Sequence, residues 1–312
     1  MENLLISVRC VTPMFLTLCL GIWLRSRKIV PDEFFNKLST LCFHGLLPFQ
    51  LFYNIYDAQI DSSFPISLMV FLEAGLLIWF GTNYAVFSKA EPDHKVRGAY
   101  IQNAFRTNIA VVGTSLAQSM MGAPGITSVS VATAILVPTF NVLAVITLET
   151  CRGGNVSASE TVRMIIKNPL IRACLLGLLF MLLGIRFPQP IDHALQSFGT
   201  TGSTMTLVAL GGSLRFGATK RNAKRLVFCN LYRLLAAPLV MLTSAVLIGF
   251  RGDALGTVLI CAATPLAASA HPMAIACQSD YELTGQIVVT TTLLCCLSMF
   301  IWIFALKQSG LL

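Results

Sequence analysis

Two stretches of the chain put polar and charged side chains inside runs that are otherwise apolar. The first carries Asn103, Arg106, Thr107 and Asn108, then Gly113, Thr114 and Ser115; the second carries Thr264, Pro265, Ser269, His271 and Pro272. Pro265 and Pro272 each lack the amide hydrogen of a helix and disfavour helical geometry in the residue before them. Breaks are therefore expected at Gly113 and Ser115 in the first stretch and at Pro265 and Pro272 in the second. Freed backbone groups cannot face lipid, so such breaks must be buried in protein or line a wet cavity. The N-terminal end of a half-helix suits a carboxylate and the C-terminal end suits a cation. Arg106, with Thr107, Ser269 and His271 near it, either adds a positive charge for an anionic solute or reaches back to the interface near Arg97. His271 is either a group that titrates near neutral pH or a hydrogen-bonded structural histidine. Glu73 and Arg233 sit in two further apolar runs, either as a buried ion pair or with Glu73 as a proton or cation relay. H-E-x-x-H, G-x-S-x-G, P-loop and paired intramembrane aspartate patterns are absent. No catalytic residue, metal or cofactor is expected, and the chain does not read as an enzyme.

The elements that hold these residues follow from composition. Of 312 residues, 55% are hydrophobic and only 12% charged, with a mean hydropathy of +0.74. A helix that crosses a bilayer needs roughly 20 apolar residues. Apolar stretches fall at about 4–24, 38–55, 64–87, 99–121, 125–149, 168–186, 193–214, 226–250, 254–278 and 282–306, which predicts an all-α polytopic membrane protein with ten transmembrane helices. The net charge of +8 sits in short loops, where it orients the chain in the bilayer; no nucleic-acid partner is expected. Arg25, Arg27, Lys28 and Lys37 follow span 1, Lys89, Lys95 and Arg97 follow span 3, and Arg152, Arg163 and Lys167 follow span 5. Arg215, Lys220, Arg221, Lys224 and Arg225 follow span 7, whereas the opposite side holds only Arg186, Arg251 and Lys307. This bias puts both termini on the non-cytoplasmic side. The N-terminus reads as a retained first span, and the cysteines, Cys10 among them, read as small apolar fillers.

The two halves repeat. At an offset of 156 to 158 residues, Thr12-Pro13 falls on Asn168-Pro169, Gly21 on Gly177 and Gly45 on Gly202. The fourth span falls on the ninth, with Gly113 opposite His271 and Thr114 opposite Pro272. Residues 1–150 and 160–312 then form two five-helix repeats. Since five is odd, the second is inverted in the membrane, an arrangement common in secondary transporters, whose sites lie where discontinuous helices meet.

At spans four, five and nine the chain resembles the auxin efflux carrier family of membrane transporters, which includes bacterial members linked to dicarboxylates such as malate and malonate. The matching residues are Phe105-Arg106-Thr107-Asn108 with Gly113 and Leu116, then Phe140-Asn141-Val142-Leu143, then Ala263-Thr264-Pro265. The Asp280/Glu282 turn into Val288-Val289-Thr290-Thr291 matches as well. The likeness extends over essentially the whole chain. It implies crossed, broken helices 4 and 9, a scaffold from helices 1, 2, 6 and 7, a mobile unit from helices 3–5 and 8–10, elevator-like movement and a homodimer. By position it makes Asn108 and Asn141 substrate contacts, as amides able to donate to a carboxylate. The family's proline in Gly-x-Pro-Leu is replaced by Ser115, which leaves the break in span four open. The expected function is carriage of a small organic anion across a bacterial inner membrane, with proton or sodium coupling left open. A sodium-coupled symporter of the bile-acid type and an anion-binding membrane receptor or regulator are the alternatives.

Overall fold

The structure is a computed structural model that describes residues 2–58, 65–152, 158–214 and 222–312, with all of their side chains except those of residues 2–11, 114, 158–161 and 164. Arg215, Lys220 and Arg221, and the side chains of Cys10 and Thr114, lie outside the described residues. Within them the chain is helical, with no strand.

The first half contains α1 (Glu2–Ser26), α2 (Asp32–Leu41), α3 (Leu47–Tyr56), α4 (Ile66–Ala90), α5 (His94–Phe105) and α6 (Thr114–Thr150). The second contains α7 (Ala158–Lys167), α8 (Pro169–Leu182), α9 (Gln189–Ser213), α10 (Ala223–Leu231), α11 (Ala237–Ile248), α12 (Gly252–Ala263), α13 (Ala270–Ala276) and α14 (Tyr281–Gln308). Among the described residues, four helices are long and apolar enough to cross a membrane: Ile66–Ala90, Ser115–Thr150, Ala223–Ile248 and Tyr281–Gln308. The segment after α6, expected as a basic loop, contains α7.

Local chemistry sets the ends. Asp93 caps α5 by accepting from the Lys95 and Val96 amides, and Asn168 caps α8, with Pro169 at a first-turn position where a missing amide costs nothing. Residues 114–150 form one run only by hydrogen bonding. Gly122 sits at φ 70°, ψ −150°, a left-handed geometry that glycine adopts without a Cβ clash, and it divides the run into a short helix and a long one.

Wide π turns occupy Cys42–Leu46, Ile109–Gly113 and Tyr232–Ala236. Pro48 and Pro238 lie just beyond the first and third of these, and each removes an amide and crowds the carbonyl four residues back. The Leu234 carbonyl, whose α-helical partner would be the absent Pro238 amide, instead accepts the Trp302 indole N–H at 2.9 Å.

Helices α1 and α9 cross at backbone contact. A Cβ on Gly21 would lie 2.1 Å from the Val208 carbonyl oxygen, and one on Gly211 would lie 2.2 Å from that of Leu18. Close approach through small residues is how helices gain packing where water supplies no driving force.

Candidate functional site

The chain leaves its helical path twice. Residues 106–108 separate α5 from the π turn, and residues 264–269 separate α12 from α13. The two breaks touch: the Asn108 amide donates to the Pro265 carbonyl at 2.8 Å. These residues stand 157 positions apart, inside the offset of the sequence repeat.

No proline interrupts the first break, and tertiary partners account for it. In a continuous helix the Asn108 amide would bond the Ala104 carbonyl. That carbonyl instead accepts Trp79 Nε1 at 2.9 Å and Arg233 Nη1 at 3.2 Å. Arg106 turns to φ −83°, ψ 127°, which aims its side chain across the crossing.

Arg106 is 2% exposed, so it does not reach back to an interface. Its Nη2 donates to Asn141 Oδ1 at 3.0 Å and to Ser269 Oγ at 2.9 Å. Its Nη1 donates to Gln102 Oε1 at 3.1 Å and contacts Met273 Sδ at 2.9 Å. All four partners are neutral, and none of the ion pairs among the described residues includes Arg106. A buried charge is costly without a counter-charge, and among the described residues this guanidinium has none.

A narrow cavity of about 40 Å³ opens beside it, lined by Arg106, Thr107, Asn108, Asn141 and Ser269 with Gln50, Ser203 and Thr206. That exceeds the ~10–15 Å³ one water needs. Asn108 Nδ2 and Thr107 Oγ1 are buried there without a partner, which leaves two donors free to bond a solute. A second, polar pocket of about 160 Å³ lined by Tyr53, Asn54, Asp57, Ser130 and Thr133 shares Ala110 with the first. It lies at the end of α3. There, Asp57 lies 3.5 Å from Arg186, and burial raises its carboxyl above the usual range, opposed by Arg186 and reinforced by Asp192.

Several expected residues stand elsewhere. Gly113 is helical, at φ −62°, ψ −46°, and packs near Val129 and Ile260. Ser115 is exposed on the following helix. The break therefore lies at Arg106–Asn108, ahead of the pair expected to form it. Pro272 is the third residue of α13, in a first turn that tolerates proline, so only Pro265 lies in the second break. His271 is buried against Tyr281 and Gly285 and is absent from the cavity wall. The pair that meets at the crossing is Asn108 with Pro265, while Gly113 packs near Val129 and Ile260 rather than against His271.

Glu73 and Arg233 do not pair. Thr139 donates to Glu73 Oε1 at 2.6 Å, while Arg233 is consumed by backbone carbonyls. Sequence reasoning missed Gln50, Gln102, Ser203, Thr206 and Met273. Gln50 and Gln102 carried a signal as amides inside apolar runs. Met273 carried none, since a methionine in such a run reads as filler.

The sequence pattern of the family described as "Membrane transport protein" matches residues 6–303. No curated protein matches the chain.

Proposed function

Because this chain belongs to the auxin efflux carrier family of membrane transport proteins, we propose that it is a secondary carrier of a small organic anion, bound at the crossing beside Arg106. The observation that carries this reading is a guanidinium buried among neutral partners, in the wall of a cavity where Asn108 Nδ2 and Thr107 Oγ1 are buried without a hydrogen-bond partner. In this reading Arg106 supplies the charge, Asn108 and Thr107 donate to the carboxylate, and Asn141 and Ser269 hold the guanidinium in place.

The proposal extends to topology. The order of elements supports ten spans in two inverted repeats: in each half a long apolar helix precedes a short helix, a break, a second short helix and a 28-residue helical stretch. Contact between residues 157 positions apart supports a pseudo-two-fold axis through the crossing. Helix α3 packs through its backbone on Gly177 of α8 and Gly199 of α9, as α1 does on α9, which fits a scaffold of spans 1, 2, 6 and 7. The other spans would move as one body, in an inner membrane with both termini outside and a homodimer as the working unit.

Uptake of labelled small carboxylates into proteoliposomes tests the function. The wild type is expected to load vesicles with at least one of them, and Arg106→Gln to fail. Reconstituted, folded wild-type protein that carries none of a broad set would overturn the proposal.

A further inference from the structure

The crossing holds a second buried arginine whose role differs from that of Arg106. Arg233 lies in the π turn Tyr232–Ala236 and is 2% exposed. The turn is pinned on both sides: the Tyr232 hydroxyl donates to the Asn83 amide oxygen, and Trp302 donates to the Leu234 carbonyl. The guanidinium then meets only main-chain oxygens. Nε donates to Thr264 O at 3.1 Å, and Nη2 donates to Thr264 O at 3.0 Å and Ala262 O at 2.7 Å. Nη1 donates to Ala104 O at 3.2 Å.

Ala104 is in the last turn of α5, Ala262 is in the last turn of α12, and Thr264 caps α12. Each helix C-terminus carries the equivalent of about −0.5 charge in its unpaired carbonyls. Two such ends sum to about −1, which one guanidinium matches. In discontinuous-helix transporters these ends and unwound carbonyls are where a coupling cation is coordinated. Thr107 of the first break lines both the Arg106 cavity and the separate, apolar cavity against Arg233.

We propose that Arg233 is a built-in cation: its guanidinium occupies the position between the C-terminal ends of the two broken helices where a monovalent metal ion would otherwise bind. The crossing then needs no sodium or potassium there, and the transport cycle is independent of both. This rests on the carrier reading for its consequence in uptake. The binding consequence stands without that reading. Arg233 is a positioning residue, since it holds the two breaks in register and touches no cavity that Arg106 lines.

The test compares wild type, Arg233→Lys and Arg233→Ala, purified in choline chloride and titrated with sodium chloride or low guanidinium chloride. Thermal unfolding is read on all three, and carboxylate uptake on the reconstituted proteins. Wild type is expected to show the same Tm and uptake in sodium and in choline. Arg233→Lys, which keeps a point charge, is expected to retain most uptake. Arg233→Ala should unfold at lower temperature and regain about 2 °C in Tm, saturably, with sodium or guanidinium at tenfold excess over the dissociation constant, with uptake recovering in parallel. Sodium-dependent uptake by wild type would overturn the proposal, as would an Arg233→Ala protein indifferent to both cations. If Arg233→Ala does not fold, Arg233→Lys is compared with a further variant, Arg233→Gln, and a lysine variant as disabled as the glutamine one overturns the role of charge. Absence of uptake in every protein would strike the carrier reading alone, because the cation-dependent Tm is still measured.

Discussion

Replacing Arg106 with glutamine separates an anion site from a structural arginine. The guanidinium holds Asn141, Ser269 and Gln102 at 2.9–3.1 Å, with no carboxylate among its partners. Its removal costs those bonds but also releases a buried charge from its desolvation penalty, so the variant is expected to fold. A hydrogen bond to a charged group is worth roughly 1.5–3 kcal/mol and a neutral one roughly 0.5–1.5 kcal/mol. For a carboxylate ligand, Arg106→Gln should therefore weaken binding by about 10- to 150-fold, and for its carboxamide by clearly less, because the amide loses a charge-assisted bond but no ion pair. The assay is calorimetric or thermal-shift titration of purified protein with the best-binding small carboxylate and its matched amide, after size-exclusion confirms the fold. Arg106→Lys should recover part of the charged ligand's loss. It should not recover all of it, because an ammonium lacks the planar fork that engages Asn141 and Ser269 through one nitrogen and Gln102 through the other. If the carboxylate loses no more affinity than the amide, the reasoning from an uncompensated buried charge is wrong.

Asn108→Ala should leave Tm nearly unchanged, because the crossing bond to Pro265 uses the main-chain amide and the side-chain Nδ2 is unpartnered; it should weaken anion binding by about tenfold or more, measured by the same titration. Asn141→Ala should lower both affinity and Tm, since it removes an acceptor from Arg106 and the Nδ2 bond to Val137 O at 2.9 Å; an unchanged melting curve would count against that coupling. Gly21→Val should cost about 1–3 kcal/mol of stability or more through overpacking at the α1–α9 backbone contact, read as a lowered Tm, whereas Gly81→Val, where a Cβ meets nothing within 4 Å, should not. Reporter fusions are expected to place Leu312 outside the cytoplasm; a reporter active in the cytoplasm when fused there would reverse the orientation.

Composition pointed to a membrane protein, with 55% hydrophobic and 12% charged residues, and the long continuous apolar runs pointed to helices, because barrel strands alternate apolar and polar residues over short segments. The run of Asn103 to Asn108 and the prolines of 264–272 pointed to the right neighbourhood, since polar groups in apolar runs are costly unless used. Pro265 marked its break, because a missing amide is a property of the residue itself. Gly113, Ser115 and Pro272 misled for the complementary reason. Glycine and serine permit a break without requiring one, and a proline in a first turn fits the helix it seems to interrupt. The break at Arg106–Asn108 has no breaker in its sequence. It exists because Trp79, on the preceding helix, and Arg233, 129 positions on, take the Ala104 carbonyl, and the Asn108 amide finds Pro265 instead. The same applies to the partners of the two buried arginines. Sequence showed Arg233 and Glu73 as opposite charges in equivalent spans, but the π turn ahead of Pro238 aims Arg233 at helix ends rather than at a carboxylate. Which carbonyl, amide or sulfur meets a guanidinium is set by how helices cross, and that depends on contacts between residues from about 30 to more than 160 positions apart.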